Sequence, residues 1–327
     1  MKIKIQGKKI LVTGGAGFIG SNLTESLLAQ GNSVRCLDNF STGKPENIRE
    51  FEGEGGFEVL EGDIRDYETC LKAVKNIDIV FHEAALGSVP RSIKDPVSSV
   101  DVNIGGFTKM LFASREAHVK RFIYASSSSV YGDNADLPKT EGKTGNQLSP
   151  YAITKYTDEL LGNIFSKVYG MEVIGLRYFN VFGKKQDPEG VYAAVIPKFI
   201  LSLLQHKSPV INGDGSVSRD FTYVENVINA NILAAICDGI ITHEVFNVAC
   251  NDSTTIASMY FTIRELLAAY DNEIKSIEPV YGPEREGDIK HSLASIDKIS
   301  NILGYYPVIN TYLGLSKTVE WFLKKWE

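Results

Sequence analysis

Tyr151 and Lys155 stand four apart in the run Leu148-Ser149-Pro150-Tyr151-Ala152-Ile153-Thr154-Lys155. A proline at this place can open a helix, and helix residues four apart share a face. The pair then offers one phenol and one ammonium to the same space. A cation beside a phenol favours the phenolate, so a tyrosine in that setting can take up a proton near neutral pH. An exposed helix face is the competing reading of the same spacing. A second reactive group lies upstream, where Ser126-Ser127-Ser128-Ser129 follows Arg121-Phe122-Ile123-Tyr124-Ala125. Four serines can make a plain flexible loop. At the carboxyl end of a central strand, however, they sit where open α/β sheets place ligands. A third is Gly14-x-x-Gly17-x-x-Gly20. Glycines there allow a tight turn and a close backbone approach to a pyrophosphate, while a following helix N-terminus supplies amides and the positive end of its dipole.

These groups need strands and helices to position them. Lys9-Ile10-Leu11-Val12-Thr13 reads as a buried parallel strand. Leu23, Leu27 and Leu28 mark the helix after the glycine turn, closed by Gly31. A second strand over 33–37 ends in Asp38, near the place of the carboxylate that accepts from an adenosine ribose diol. A carboxylate there repels a 2′-phosphate, which favours NAD over NADP. Further strands are expected at 57–60 and 77–82. Asp63 either reaches the adenine edge or caps a helix starting near Tyr67. His82 reads as a packed strand-end residue, and the small Ala84-Ala85 after it allow close approach of a flat ligand. Residues 86–92 read as a polar loop before one long helix, about 95–118, which carries Asn103 and a close-packing Gly105-Gly106 pair. The helix of Tyr151 shows Leu161, Ile164, Phe165 and Val168 on one face, and a sixth strand follows at 173–178.

Strand and helix alternate from residue 9 to 180, which predicts a doubly wound parallel α/β sheet. Beyond that the pattern loosens into a loop at 181–195, helices near 196–205, 256–271 and 311–326, and short strands near 209–212 and 219–224. The expected organisation is a dinucleotide-binding domain over 1–180 and a smaller α/β substrate-binding region over 181–327. About 220–248 is expected to return to the sheet.

Formal net charge is −6, from 34 Lys+Arg against 40 Asp+Glu. No nucleic-acid footprint is therefore expected, and anionic membrane surfaces are disfavoured. Local arginines can still bind an anionic small molecule. Hydrophobic content of 43% with 23% charged residues is that of a globular protein. Cys36, Cys70, Cys237 and Cys250 form no Cys-x-x-Cys motif, and no histidine cluster has metal spacing. Buried thiols in a reducing compartment and no metal site are expected. The first residues lack the apolar length of a signal sequence, and no stretch approaches a membrane span. A cytoplasmic protein is expected.

In this order the motifs resemble the extended short-chain dehydrogenase/reductase family, and within it the nucleotide-sugar 4-epimerases, nearly end to end. They are Thr13-Gly14-Gly15-Ala16-Gly17-Phe18-Ile19-Gly20, Asp38-Asn39-Phe40-Ser41-Thr42-Gly43, Gly62-Asp63-Ile64-Arg65-Asp66, the serines with Val130-Tyr131-Gly132, Pro150-Tyr151-Ala152-Ile153-Thr154-Lys155, and Leu176-Arg177-Tyr178-Phe179-Asn180-Val181. Ala85-Leu86-Gly87-Ser88-Val89-Pro90-Arg91-Ser92, Tyr192-Ala193-Ala194-Val195-Ile196-Pro197 and Gly213-Asp214-Gly215 before Ser218-Arg219-Asp220-Phe221 look like the bacterial UDP-N-acetylglucosamine 4-epimerases of surface-polysaccharide pathways.

The resemblance implies a Rossmann-type fold with bound NAD. It implies that Tyr151 accepts the proton, that Lys155 holds the nicotinamide ribose, and that Ser127, with Ser128 beside it, hydrogen-bonds the sugar 4-oxygen. Cofactor contacts are implied for Gly14, Gly17, Phe18, Ile19 and Gly20, and for Asp38, Asn39, Ser41, Thr42 and Gly43. They are also implied for Asp63, Ile64, Ala84, Ala85, Asn103 and Tyr178. Substrate contacts are implied for Gly87, Ser88, Ser127, Ser128, Ser129 and Tyr151, and for Ala194, Val195, Lys198 and Asn212. Asn180, Arg219 and Arg285 match positions that grip the diphosphate, and two arginines suit a double anion through forked, charge-assisted hydrogen bonds. Taken singly, each arginine also fits a surface salt bridge. Ser292 matches a position beside the sugar's C2 substituent. A bulky tyrosine there restricts some relatives to non-acetylated sugars, whereas serine leaves room for an N-acetyl group. The implied activity is interconversion of UDP-GlcNAc and UDP-GalNAc.

Other UDP-sugars (UDP-GlcNAcA or UDP-GalNAcA, UDP-glucose, UDP-glucuronate) suit the same chemistry. A 4,6-dehydratase or decarboxylase needs a further acid and base, which relatives carry directly after the catalytic Ser/Thr; Ser128 and Ser129 stand there instead. A non-catalytic NAD-binding sensor usually loses the Tyr or the Lys, and both are present. The helices near 95–118 and 149–170 resemble the family's dimer-forming pair, so a homodimer through a helix bundle is expected.

Overall fold

The structure, a computed structural model, describes residues 4–53, 55–188, 194–239, 242–284 and 290–326. Its centre is a sheet of parallel strands. In chain order these are β1 (Lys9–Thr13), β2 (Ser33–Asp38), β3 (Phe57–Glu61), β4 (Ile79–His82), β5 (Arg121–Ser127), β6 (Glu172–Tyr178) and the strand His243–Val248. Spatially the order is His243–Val248, β6, β5, β4, β1, β2, β3. The chain winds outward from β1 to β3, then returns to β4 on the other side of β1. That reversal is the switch point at which doubly wound sheets open a crevice. The register pairs Thr13 with His82, so β1 and β4 end level beneath it.

Both faces of the sheet are covered, which is why its strands read as nearly continuous apolar runs. Ile10 and Val12 point into one core cluster with Leu23 and Leu27 of α1 (Phe18–Ala29). Leu11 points into the other, with Val80, Phe122 and Phe107. The strand period of two thus divides β1 between two cores. Helix α2 (Tyr67–Val74) packs on the second face.

The single helix expected at 95–118 is a broken one. Residues 89–94 already form a helix, α3 (Val89–Lys94), whose cap is Ser88, and Asp95 caps a new one, α4 (Pro96–Val100). Pro96 lacks the N–H that would continue α3 and suits a first turn instead. A π-helical turn, Asp101–Gly106, leads into α5 (Phe107–Glu116). A Cβ at Gly106 would lie 2.5 Å from the Ile64 side chain, so the glycine admits that contact.

Helix α6 (Pro150–Tyr169) is capped by Ser149, whose hydroxyl accepts from the Ala152 amide, and it ends at Gly170 with φ +68°. Its faces differ from the expected ones. Ile164 and Val168 point outward with Ile153 and Leu160, while Lys155, Asp158, Glu159 and Phe165 are buried.

In the remaining chain lie α7 (Val195–Leu204), α8 (Val224–Ile236), α9 (Ile256–Ala268), α10 (Asp297–Leu303) and α11 (Thr311–Trp326). Helix α8 packs on α1 and on β5 and β6. Arg121, at the start of β5, donates to the carbonyls of Ala234, Ala235 and Cys237 at 3.1, 2.9 and 3.0 Å. Those carbonyls at the end of α8 have no partner within the helix, so the guanidinium satisfies them. Helices α7 and α11 pack on α9. Short ladders join Val210–Asn212 to Val280–Gly282, and Ser218–Arg219 to Thr254–Thr255. Among the described residues no helix is long and apolar enough to cross a membrane.

Candidate active site

Carboxyl ends of β2, β1, β4, β5 and β6 line one cavity of about 700 Å³, within the range of small-molecule sites. Gly14, Gly17, Phe18, Ile19 and Gly20 form one wall of it. Gly14 has φ +65°, and a Cβ there would meet the Ala84 backbone at 2.8 Å. A Cβ at Gly20 would lie 2.2 Å from the Gly14 carbonyl oxygen. The turn therefore closes only with glycine at both positions, and the first amides of α1 face an open cradle. Gly20→Ala is expected to bind NAD at least about tenfold more weakly, because the turn must open to admit the methyl. Unchanged NAD affinity by calorimetry would remove the cradle from the site.

Asp38 ends β2 and is buried. Its carboxylate accepts from the Ala16 and Phe40 amides, each at 2.9 Å, tying the glycine turn to the following loop. Burial raises its pKa and those amides pull it back. Asn39, Ser41 and Thr42 line the same end, and Gly43 packs against the Asp38 carboxylate. Asp63 accepts from Asn39 at 2.9 Å and pairs with Arg65 at 2.7 Å. The guanidinium holds it well below the usual carboxylate range. The cap of α2 is Asp66, which accepts from the Thr69 amide. Asp63 instead lies in the cavity wall beside Ile64.

Tyr151, Lys155, Ser126 and Ser127 line the far side of the cavity, where α6 meets β5. The Tyr151 amide donates to the Ser92 hydroxyl at 3.0 Å, fixing the first turn of α6 against α3. Lys155 is buried and its ammonium donates to the Ala125 carbonyl at 2.9 Å. Ser127 is the serine whose side chain caps the next turn, accepting from the Ser129 amide at 3.1 Å. Ser126 donates its hydroxyl to Glu159 at 2.6 Å. Ser128 and Ser129 lie in the 3-10 turn Ser128–Tyr131, outside the cavity lining.

Sequence reasoning missed Glu83. It follows His82 and lines the cavity with Ala84 and Ala85. Tyr178 donates to it at 2.7 Å and in turn accepts from Asn231 at 2.8 Å. Burial pushes Glu83 from 4.5 up to about 7, against the pull of the Tyr178 hydroxyl and the Lys155 ammonium. A carboxyl whose folded pKa is raised contributes stability below its unfolded pKa and loses it as pH climbs through the folded one. Glu83→Gln is therefore expected to gain on the order of 1 kcal/mol over the parent near pH 8 and nothing near pH 4. Equal unfolding midpoints of the two proteins at both pH values would contradict this. A carboxylate directly before two small cavity residues was the available signal. His82 is packed, stacked on Phe122 and bonded to Thr13 at 2.9 Å, and burial pushes it down to about 3.

Other expected residues fall into two groups. Gly87, Ser88 and Ala194 line the cavity. Asn103 does not. Its amide accepts from the Leu86 amide at 2.8 Å and donates to Thr154 at 3.1 Å, so it clamps the loop after β4 to α6. Asn180, Arg219 and Ser292 gather around Ser218–Asp220, beyond the lining. The Asn180 amide donates to the Asp220 carbonyl, Arg219 to the Ser218 and Lys290 carbonyls, and the Ser292 amide to the Ser218 carbonyl. Val195 and Lys198 sit on the first turns of α7, and Asn212 ends the strand Val210–Asn212. Arg285 lies outside the described residues.

A glycine cradle at a helix start, a buried acid at the end of β2 and a Tyr/Lys pair where α6 meets β5 fit NAD along the strand ends. The chain matches the NAD dependent epimerase/dehydratase family model over residues 10–249. It belongs to that family. Family membership makes NAD its cofactor and makes it an enzyme. Among relatives of this family member, the UDP-glucose 4-epimerase of Mycolicibacterium smegmatis is 35% identical over 97% of this chain and 99% of its own. A solved UDP-N-acetylglucosamine 4-epimerase of Methanobrevibacter ruminantium M1, in complex with UDP-N-acetylmuramic acid, is 40% identical with TM-score 0.91, covering 98% of this chain and 100% of that one. The UDP-glucuronic acid 4-epimerase of Bacillus cereus, with UDP-glucuronic acid and NAD, is 31% identical with TM-score 0.86, covering 97% and 99%.

Proposed function

We propose that this enzyme is a UDP-sugar 4-epimerase whose preferred pair is UDP-GlcNAc and UDP-GalNAc. The observation that carries the epimerase reading is the convergence of Tyr151, Lys155 and Ser127 on the cavity that holds the glycine cradle. Ser127 accepts or donates at the sugar 4-oxygen and orders it for proton loss to Tyr151. Lys155 holds the nicotinamide ribose and brings a positive charge to the cavity that Tyr151 lines. NAD, when bound, supplies the hydride acceptor and donor for C4. Asn180, Arg219 and Arg285 would hold the diphosphate while the sugar ring turns, so that either face of C4 can be presented to the cofactor.

Small Ser292 beside Arg219 supports the acetamido preference, since it leaves space where a tyrosine would not. The likeness to the Methanobrevibacter ruminantium enzyme points the same way. Purified enzyme is expected to convert UDP-GlcNAc to UDP-GalNAc without added NAD. No conversion by enzyme that carries NAD would refute that substrate. Arg91 in the cavity lining favours a second reading, a UDP-hexuronate, because a guanidinium suits a carboxylate. A panel of both sugar classes, compared by kcat/KM, separates the two.

Two copies are proposed to pair through α4 and α6. Ile153, Leu160, Ile164 and Val168 make an exposed stripe on α6, and Ile93 and Val97 expose more apolar surface on α3 and α4. Such a face is costly to leave in water. A monomer in light scattering at micromolar concentration would refute the pairing.

A further inference from the structure

Asp158 is a carboxyl with no exposure at all, one helical turn beyond Lys155. Its Oδ2 lies 3.3 Å from the Lys155 ammonium, and Oδ1 has no hydrogen-bond partner. A buried carboxylate with one bare oxygen is costly to keep, and the proposed reaction does not use it. The ammonium it touches belongs to a residue that lines the same cavity as Tyr151, one turn further along α6. Lys155 spends one N–H on Ala125 and one on Asp158. Two fixed acceptors thus hold its head in place.

We propose that Asp158 is a positioning and charge-balancing residue: it clamps Lys155 against β5 and offsets part of the positive charge that Tyr151 experiences. The inference rests on the assignment of Tyr151 as proton acceptor. Burial pushes Asp158 up to about 7, with Lys155 pulling it down and Glu159 adding to the rise. Near Lys155 and Asp158 also lie Glu159 on α6, Tyr124 on β5, His82 at the end of β4 and Glu83 after it, and Arg177 and Tyr178 on β6, and the cavity lining adds Asp38, Asp63, Arg65, Arg91 and Asp187. Glu159 is tied to Arg177 and Glu83 to Tyr178, which leaves Asp158 as the direct counter-ion of Lys155.

The test is Asp158→Asn, which keeps the shape and an acceptor for Lys155 but removes the charge. With the ammonium uncompensated, the acid limb of the kcat/KM profile is expected to move about one pH unit lower. Ultraviolet titration of tyrosinate, taken as the difference between Asp158→Asn and the same variant carrying Tyr151→Phe, should move the same way without any substrate present. A folded Asp158→Asn with an unmoved limb and an unmoved ultraviolet signal would overturn the proposal. An ultraviolet shift without turnover of any UDP-sugar would leave it standing and count against the substrate instead. Asp158→Ala removes clamp and charge together. It is expected to show the same shift with lower kcat, and a shift in the opposite direction would also overturn the proposal.

Discussion

Tyr151→Phe is expected to lower kcat by about 10²–10⁴-fold, the usual worth of a positioned proton acceptor. The ring stays, so α6 keeps its first turn, and the amide that bonds Ser92 is unaffected. Lys155 also stays, held by Ala125 and Asp158. NAD content and UDP-sugar affinity should therefore change little, and the loss should fall on kcat rather than KM. Initial rates, with binding measured by calorimetry on the same preparation, distinguish this from a misfolded variant. Turnover within a few-fold of the parent would end the proton-acceptor role. Parallel loss of NAD would show that the hydroxyl holds the cofactor rather than the proton.

Glu159→Ala carries the largest expected cost in stability. Arg177 donates to both oxygens of Glu159, Nε and Nη2 each at 2.8 Å, and both side chains are buried. Arg177 also lies over the Tyr131 ring, 4.8 Å from its centroid, and donates to the Glu141 carbonyl. Removing the carboxylate strands a buried guanidinium, which costs about 3–5 kcal/mol. That should lower the unfolding midpoint by roughly 4–7 °C by calorimetry. Ser126 loses its acceptor as well, one residue before Ser127, so kcat should also fall. Glu159→Gln keeps volume and one acceptor and should cost less. Pairing Glu159→Leu with Arg177→Met should recover much of the stability, because no lone charge is left behind. A loss below about 1 kcal/mol for Glu159→Ala would mean that water reaches Arg177.

Much of the dinucleotide half was legible because its signals are local. A β-branched run, a glycine turn and an amphipathic helix lie within about twenty residues of one another, and Asp38 sits at the next strand end. Each is read from spacing alone. The break at Pro96 was also written locally, in Asp95-Pro96, yet the apolar pattern ran on through it and masked the capping pair. In α6 the apolar period placed Ile164 and Val168 with Phe165, but the structure turns Asp158 and Glu159 inward and leaves Ile164 and Val168 outside. Hydropathy assigns charged residues to solvent. It cannot register a cation waiting on a neighbouring strand.

Local signals along the chain were enough for the strand-turn-helix that cradles a dinucleotide, the helical phase that puts Tyr151 and Lys155 on one side, and the alternation that forces a parallel sheet. These follow from backbone geometry and from partners within a few residues. Tertiary structure alone decided that Ser126 and Ser127 are the serines of the cavity wall, that Asn103 clamps the loop after β4 to α6, that Glu83 meets Tyr178 from 95 residues away, and that Glu159 on α6 meets Arg177 on β6. Those outcomes depend on which strand ends become neighbours when the sheet reverses between β1 and β4. A polar side chain buried there must find its partner across the crevice, and no spacing along the chain encodes that distance.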